Sequence, residues 1–408
     1  MRVKTKFLLS GVIIFAVVVS SQVNSDFLLS VTNILTGNTE VDDSNNEVAP
    51  TNANFQSKVL RLGYFPNLNH AQAIIGLENG SFQKALSENS TSNGSADDFT
   101  IKEFMFSAGP SAIEALYAGQ IDAAYVGPNP AINGYLASNG EGIRIVSGAA
   151  SGGAVFVIRN DSTIISTKDF GGKKFASPQL GNTQDVSLRK YLMQNGFDTV
   201  ENGGNVTVVP VKPSDILTLM LKKEIDGAWV PEPWGARLVK EAKGKVFVDE
   251  RDLWPPDGKF VTTNIIVRTD YLKDNPDVVK KLIKAHVDET IWINETLESL
   301  RTDTSMPGNV ENQTKNDTDD GVAAFIRSFN NGLKRITGNT VPEDELRDAL
   351  QRLEFTYDPI QRSLFRMASD AYALGLMGRG DKPDLTNIYD LALLKQVLEE
   401  KDLYYNNI

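Results

Sequence analysis

The sequence predicts an α/β protein of two similar, doubly wound lobes that face each other across a cleft, joined by two crossover strands and followed by a helical C-terminal extension. Three observations lead there. The first is an internal repeat. Pro66-Asn67-Leu68-Asn69-His70-Ala71-Gln72 returns as Pro178-Gln179-Leu180-Gly181-Asn182-Thr183-Gln184, and Pro110-Ser111-Ala112-Ile113 returns as Pro213-Ser214-Asp215-Ile216. Ile121-Asp122-Ala123-Ala124-Tyr125-Val126 returns as Ile225-Asp226-Gly227-Ala228-Trp229-Val230, each copy running into a Pro-x-Pro. The second is an alternation of short apolar runs with helix-spaced segments, the pattern of a parallel sheet with covering helices. The third is that sequence lies on both sides of the second copy, so the chain must cross between lobes twice, near 147–153 and 255–263.

Folded sequence starts with a strand at Val59–Phe65, stopped by Pro66, then a helix at Ala71–Glu78 closed by Asn79-Gly80. Phe99–Phe106 alternates like a strand, and Gly109-Pro110-Ser111 opens a helix with Ile113, Leu116 and Tyr117 at helical spacing. A strand at Ile121–Val126 leads into a helix that runs to about Ser138. Ile143–Ile158 is extended around a glycine-rich bend at Ser147–Gly153, and Lys173 onward repeats the scheme through Val246–Val248. An extended run at Phe260–Val267 precedes helices at Pro276–Glu295, Val322–Ile336, Pro342–Leu353, Pro359–Gly375 and Leu391–Lys401. The resulting division is 58–150 and 262–408 for the first lobe with its C-terminal helices, and 151–261 for the second.

Composition narrows the function. At 408 residues there is room for two or three domains, and 41% hydrophobic residues suffice for their cores. A net charge of −11 without a basic stripe argues against nucleic acid. With no cysteine and two histidines, His70 and His286, thiol catalysis and Cys- or multi-His-ligated metals are excluded, and no cofactor or metal is expected. Arg2, Lys4 and Lys6 precede an apolar run from Phe7 to Val19, so residues 1–23 read as a signal peptide or, uncleaved, a membrane anchor. Residues 24–57 read as a disordered tether. Seven N-x-[ST] sequons, at Asn89, Asn93, Asn160, Asn205, Asn294, Asn312 and Asn316, fit an extracytoplasmic glycoprotein.

The repeated turns lie where ligands sit in open α/β sheets, beyond strand ends and at helix N-termini, whose first N–H groups lack internal partners. They carry Asn67, Asn69, His70, Ser107, Ser111, Asn129, Ser151, Gln179, Asn182 and Thr183, with no Lys or Arg. Such neutral donors permit a small oxyanion. Helix capping would also account for Ser111, Ser214 and Thr183. Trp229 is either a core aromatic or, with the adjoining Pro-Glu-Pro-Trp, a cleft wall; Glu232 is a loop acid or a partner for a ligand ammonium. Asp249–Asp252 reads as a charged surface turn. No catalytic constellation is visible, so no enzyme is expected.

The segments GYFPNLNHAQAIIG, AGPSAIEALYAGQIDAAYVGPNPAINGYL, GAASGGAVFVI, ASPQLGNTQDVSLRKYL, IDGAWVPEPWGARLV and FVDERDLWPPDGKFVTTNIIVRTDYL resemble the nitrate/sulfonate/taurine solute-binding proteins of ABC importers, over about residues 58–405. The resemblance implies the type II periplasmic-binding-protein fold and a ligand held between the lobes by the turn residues named above, with Trp229 and Glu232. It implies an ABC permease and its ATPase as partners, a monomer, and a sulfonate, taurine or nitrate-like ligand, with a vitamin-precursor heterocycle as the alternative. A pyrimidine-forming enzyme group shares this fold but uses a cysteine-rich iron motif that this chain lacks. The missing lipobox cysteine, the tether and the sequons depart from the family pattern and leave the mode of anchoring open.

Overall fold

The computed structural model describes residues 59–87, 99–298, 315–377 and 383–404. The expected signal or anchor, the tether to Ser57 and the polar stretches around 88–98 and 299–314 lie outside them. The strands are β1 (Val59–Tyr64), β2 (Thr100–Met105), β3 (Ala123–Val126), β4 (Ile143–Gly152), β5 (Ala154–Arg159), β6 (Lys174–Ser177), β7 (Thr207–Pro210), β8 (Gly227–Pro231), β9 (Gly244–Asp249), β10 (Val261–Arg268) and β11 (Leu353–Phe355). They form two sheets, ordered β11-β4-β10-β3-β1-β2 and β7-β6-β8-β5-β9.

The repeat is visible in this topology. β2-β1-β3-β10 of the first sheet matches β7-β6-β8-β5 of the second, and each pair of repeated turns follows corresponding strands. The repeated aspartates explain themselves structurally. Buried Asp122 accepts the backbone N–H of Arg61 at 2.9 Å, and Asp226 accepts that of Lys174 at 2.9 Å, so each ties its loop to the neighbouring strand.

Both sheets are covered on two faces, as period-two alternation requires. Ala123 and Tyr125 of β3 face one core layer, while Ala124 and Val126 face the other. In the second lobe Phe156 and Ile158 face one layer, Val155 and Val157 the other. The sheets are mixed, which corrects the expectation of parallel ones. β1, β2 and β3 are parallel, as are β6, β7 and β8, but β10 runs antiparallel to β3 and β4, and β5 antiparallel to β8 and β9. β5 and β10 each begin where the chain enters from the other lobe, at the end of the sheet opposite to the one from which an ordinary crossover would arrive.

Two further differences follow from pairing. Ser147–Gly152 does not bend out; it stays in β4, held by β10 and by β11 on either side. The helix expected to reach Leu353 spans Glu343–Leu350, because Leu353–Phe355 is drawn into the sheet edge. Among the sequons, Asn160 and Asn205 are exposed. Asn294 is half-buried and donates its side-chain amide to the Phe355 carbonyl at 3.0 Å. Asn89, Asn93 and Asn312 lie outside the described residues, as does the side chain of Asn316.

The chain leaves the first sheet at Gly152-Gly153 and returns through residues 250–260. Gly153 has φ +72°, and a Cβ there would lie 2.9 Å from Leu353 Cβ and 3.0 Å from Asn69 Nδ2. Gly153→Ala is therefore expected to destabilise the protein by about 1–2 kcal/mol from the left-handed backbone alone, with the steric term added, as a lowered midpoint in urea unfolding; an unchanged midpoint would show that the crossing tolerates a side chain.

Candidate functional site

A cavity of about 20 Å³, room for one or two water-sized groups, lies between the two sheets. Four helices present their first turns to it: Gly109–Tyr117, Pro128–Ala137, Thr183–Gln194 and Pro213–Leu221. Their N-cap positions are Ala108, Gly127, Asn182 and Lys212, and no side chain caps any of them. Capping thus fails to explain Ser111, Ser214 and Thr183, which sit inside the first turns. The helix dipoles converge instead on the cavity, adding partial positive charge.

Asn67, Asn69, His70, Ser107, Asn182 and Thr183 line this cavity. Asn69 donates to Thr262 Oγ1 at 3.0 Å and to the Gly152 carbonyl at 3.1 Å, which fixes the amide and leaves Oδ1 without a partner. His70 Nδ1 and the hydroxyls of Thr183 and Thr263 are likewise buried and unpartnered. Orphaned buried polar atoms are costly, and their convergence here marks a place built for polar contact. Thr183 reaches the opposite lobe, since a Cβ on Gly127 would lie 2.4 Å from its hydroxyl oxygen. Only glycine permits that approach. No lining residue carries a formal charge: desolvation pulls the His70 imidazole down to about 3, so it is neutral.

The remaining expected residues are placed elsewhere. Ser111 and Gln179 meet across the rim at 3.4 Å. Asn129 lines an adjoining crevice rather than the cavity. Ser151 accepts the Phe260 N–H at 3.3 Å beside the crossing. Trp229 is no cleft wall: it is fully buried, stacks on Phe156 at 5.4 Å between centroids, and donates to Glu250 at 2.6 Å. It occupies the core position that Tyr125 holds in the first lobe. Glu250, expected in a surface turn, is buried beneath it.

Glu232 does not face the cavity either. It is fully buried, 2.8 Å from the Arg352 guanidinium, and accepts the Ala236 N–H at 2.9 Å. Burial pushes its carboxyl above the ordinary range against the pull of Arg352. Its carbonyl accepts the Leu68 N–H at 3.0 Å, and Trp234 donates to Asn67 at 3.1 Å, so this segment holds the lobes together. Sequence reasoning missed Thr262 and Thr263, which enter the cavity from β10. Their signal was a Thr-Thr-Asn interruption in an apolar strand.

Two expectations follow. Arg352→Met should leave Glu232 buried without compensation and cost about 3–5 kcal/mol in denaturant unfolding; a loss under about 1 kcal/mol would show that the pair does little. The second concerns pH. His70 binds its proton at about 3 when folded and near 6.5 when unfolded. The unfolded chain alone takes up that proton below pH 6.5, so stability falls as the pH drops towards 3. His286, pulled down to about 4, acts in the same direction, whereas Glu250, pushed up to about 7, acts oppositely. Comparison with His70→Gln isolates one group: between pH 7 and 5 the variant should lose about 2 kcal/mol less than the parent. Equal losses would place a charged or solvated imidazole at position 70.

Residues 53–303 match the NMT1-like family. The chain is 28% identical over 179 residues, 44% of its length, to a Brucella abortus (strain 2308) protein named as a binding protein, of which this covers 53%. It is 28% identical over 186 residues to the taurine-binding periplasmic protein of Escherichia coli K12, covering 45% of this chain and 54% of that one. The chain thus spans about half the length of these curated relatives. Among solved structures, the alkanesulfonate-binding protein SsuA from Xanthomonas axonopodis pv. citri bound to MOPS superposes with a TM-score of 0.58 at 14% identity, over 79% of this chain and 94% of that one. The nitrate-binding protein NrtA from Synechocystis PCC 6803 gives 0.59 at 14% identity, over 85% and 89%. At these identities the likeness is one of fold, the periplasmic-binding-protein architecture. With more than half of its residues matched, the chain belongs to the NMT1-like family.

Proposed function

We propose that the protein is an extracytoplasmic solute-binding protein that captures a small oxyanion, an organosulfonate, taurine or a nitrate-like ligand, between its lobes and delivers it to an ABC permease. The single observation behind this reading is the uncharged cavity at which four uncapped helix N-termini and several unpartnered polar atoms converge. Backbone N–H groups, hydroxyls and a neutral imidazole can take an oxyanion without a formal countercharge. The names of the relatives point the same way: taurine-binding for one, nitrate/nitrite-binding for another. In this reading Asn67, Asn69, His70 and Ser107 contact the ligand from the first lobe and Asn182 and Thr183 from the second, so that ligand and closure are coupled. The N-terminal segment would export the chain or anchor it, and the exposed sequons Asn160 and Asn205 would accept glycans. The protein works as a monomer without a cofactor.

Calorimetry and thermal shift with nitrate, ethanesulfonate and an uncharged control test this. At a hundredfold excess over Kd, the bound oxyanion should add about 2.7 kcal/mol of stability. Asn69→Ala and Thr183→Ala should each weaken binding by about 1 kcal/mol or more and show coupling in a double-mutant cycle. No shift with any oxyanion, or strict additivity of the two variants, would remove the basis for a site shared between lobes.

A further inference from the structure

Two helices that belong to different cores meet beside the cavity. Helix Thr183–Gln194 packs on the second sheet through Leu188 and Leu192, in the layer with Phe156 and Trp229. Helix Gln361–Ala373 packs on the first through Leu364 and Ala368, in the layer with Ala124 and Ile266. Lys190 Nζ of one helix lies 2.9 Å from Asp370 Oδ1 of the other, with 20% and 21% of the two side chains exposed. Among the described residues neither forms a second ion pair. A pair sheltered to this degree is screened less by salt than one in open water.

Helical spacing fixes where the pair stands. Thr183, Ser187 and Lys190 follow one another at i, i+4 and i+7, along one face of their helix. Thr183 lines the cavity, whereas Ser187 and Lys190 line the adjoining crevice together with Asp370. Lys190 is therefore about 10 Å of helix away from the cavity wall. On the partner helix, Ser363 Oγ accepts the Val261 N–H at 2.9 Å, where the chain has just returned to the first sheet. Asp370 stands about 10 Å beyond that anchor. The Glu232–Arg352 pair differs in kind: the Glu232 N–H is bonded to the Gly153 carbonyl at the crossing itself, where a rotation of the lobes displaces atoms least. Lys190 and Asp370 ride on separate bodies, so their contact exists only while the sheets are together.

We propose that Lys190 and Asp370 form a closure latch, an ion pair outside the cavity that holds the lobes together and thereby sets how tightly the protein keeps its ligand. This rests on the reading that ligand binding and closure are coupled. Where a site is complete only in the closed form, the measured affinity scales with the fraction of molecules that are closed. A contact that favours closure then strengthens every ligand of the cavity alike. Both residues are positioning residues, which act on the cavity walls through their helices and touch no ligand.

Nitrate and ethanesulfonate are the probes, with Lys190→Met, Asp370→Asn and the double variant, each checked for an intact fold by circular dichroism. By calorimetry each single variant should weaken both probes by the same factor, about three- to fivefold, and the double variant should be no weaker than either single one. The direction is diagnostic. Two charges that acted only through their field on an anion would give weaker binding without the lysine and tighter binding without the aspartate. The chain has no cysteine, so spin labels on Lys222→Cys and Asp274→Cys, one exposed position in each lobe, report the distance between lobes. Each latch variant should shift the ligand-free distribution to longer distances. Opposite effects of the single variants, additive losses in the double variant, or affinities and distances equal to those of the parent overturn the latch. If neither probe binds, the reading of the cavity as an oxyanion site fails, and the ligand-free distances alone decide the latch.

Discussion

A carboxylate taken wholly out of water needs a cation and hydrogen bonds, and the arrangement around Glu232 is organised by that requirement. Its side chain is tied to Arg352, next to β11 at the edge of the first sheet, and to the first turn of the helix that follows β8 in the second. Its backbone is tied to Leu68 and to Gly153, where the chain crosses. Arg352 in turn is held by Asp348 at 2.8 Å, and its carbonyl accepts the Gly153 N–H at 2.7 Å. One buried ion pair thus gathers the crossing, the first repeated turn and the C-terminal extension into a single knot. The cavity stands beside it, and its walls are fixed by the same contacts.

Because that charge is satisfied at the knot, the cavity itself is neutral. Its polarity comes from amides, hydroxyls, an unprotonated imidazole and the starts of helices. Pro110, Pro128 and Pro213 at the first helical positions pre-set the backbone there. Ala108 and Gly127 at cap positions offer no side-chain oxygen to compete with a ligand for the first N–H groups. Residues that are poor caps are suitable ones where the helix end is to serve something else.

The internal repeat mixes two kinds of information. Asp122 and Asp226 recur because each lobe needs a loop tied to its neighbouring strand, and Tyr125 and Trp229 recur because each core needs a large aromatic there. The turns at 66–72 and 178–184 recur at the cavity. Sequence similarity between the halves marks both without telling them apart, which is why Trp229 read as a wall and proved to be core. Pairing separates them: Asn69, His70 and Thr183 keep buried, unpartnered polar atoms at the cavity, whereas Asp122, Asp226, Tyr125 and Trp229 are each hydrogen-bonded.

The sequence by itself determined the two-lobed α/β plan, the order of strands and helices, and most of the turns that meet at the cavity, because these depend on local periodicity, proline and glycine placement, and a repeat that can be read along the chain. It did not determine strand direction at the crossings, since the entry of β5 and β10 from the other lobe is a property of chain path. It did not reveal β11, whose three residues have no periodicity of their own and become a strand only through an available sheet edge. Nor did it separate Glu232 from Glu250. Both are glutamates beside tryptophan in short charged or proline-rich segments, and only the tertiary structure brings Arg352, distant in sequence, to one of them and leaves the other facing a crevice. Charge compensation is a matter of which groups meet in space.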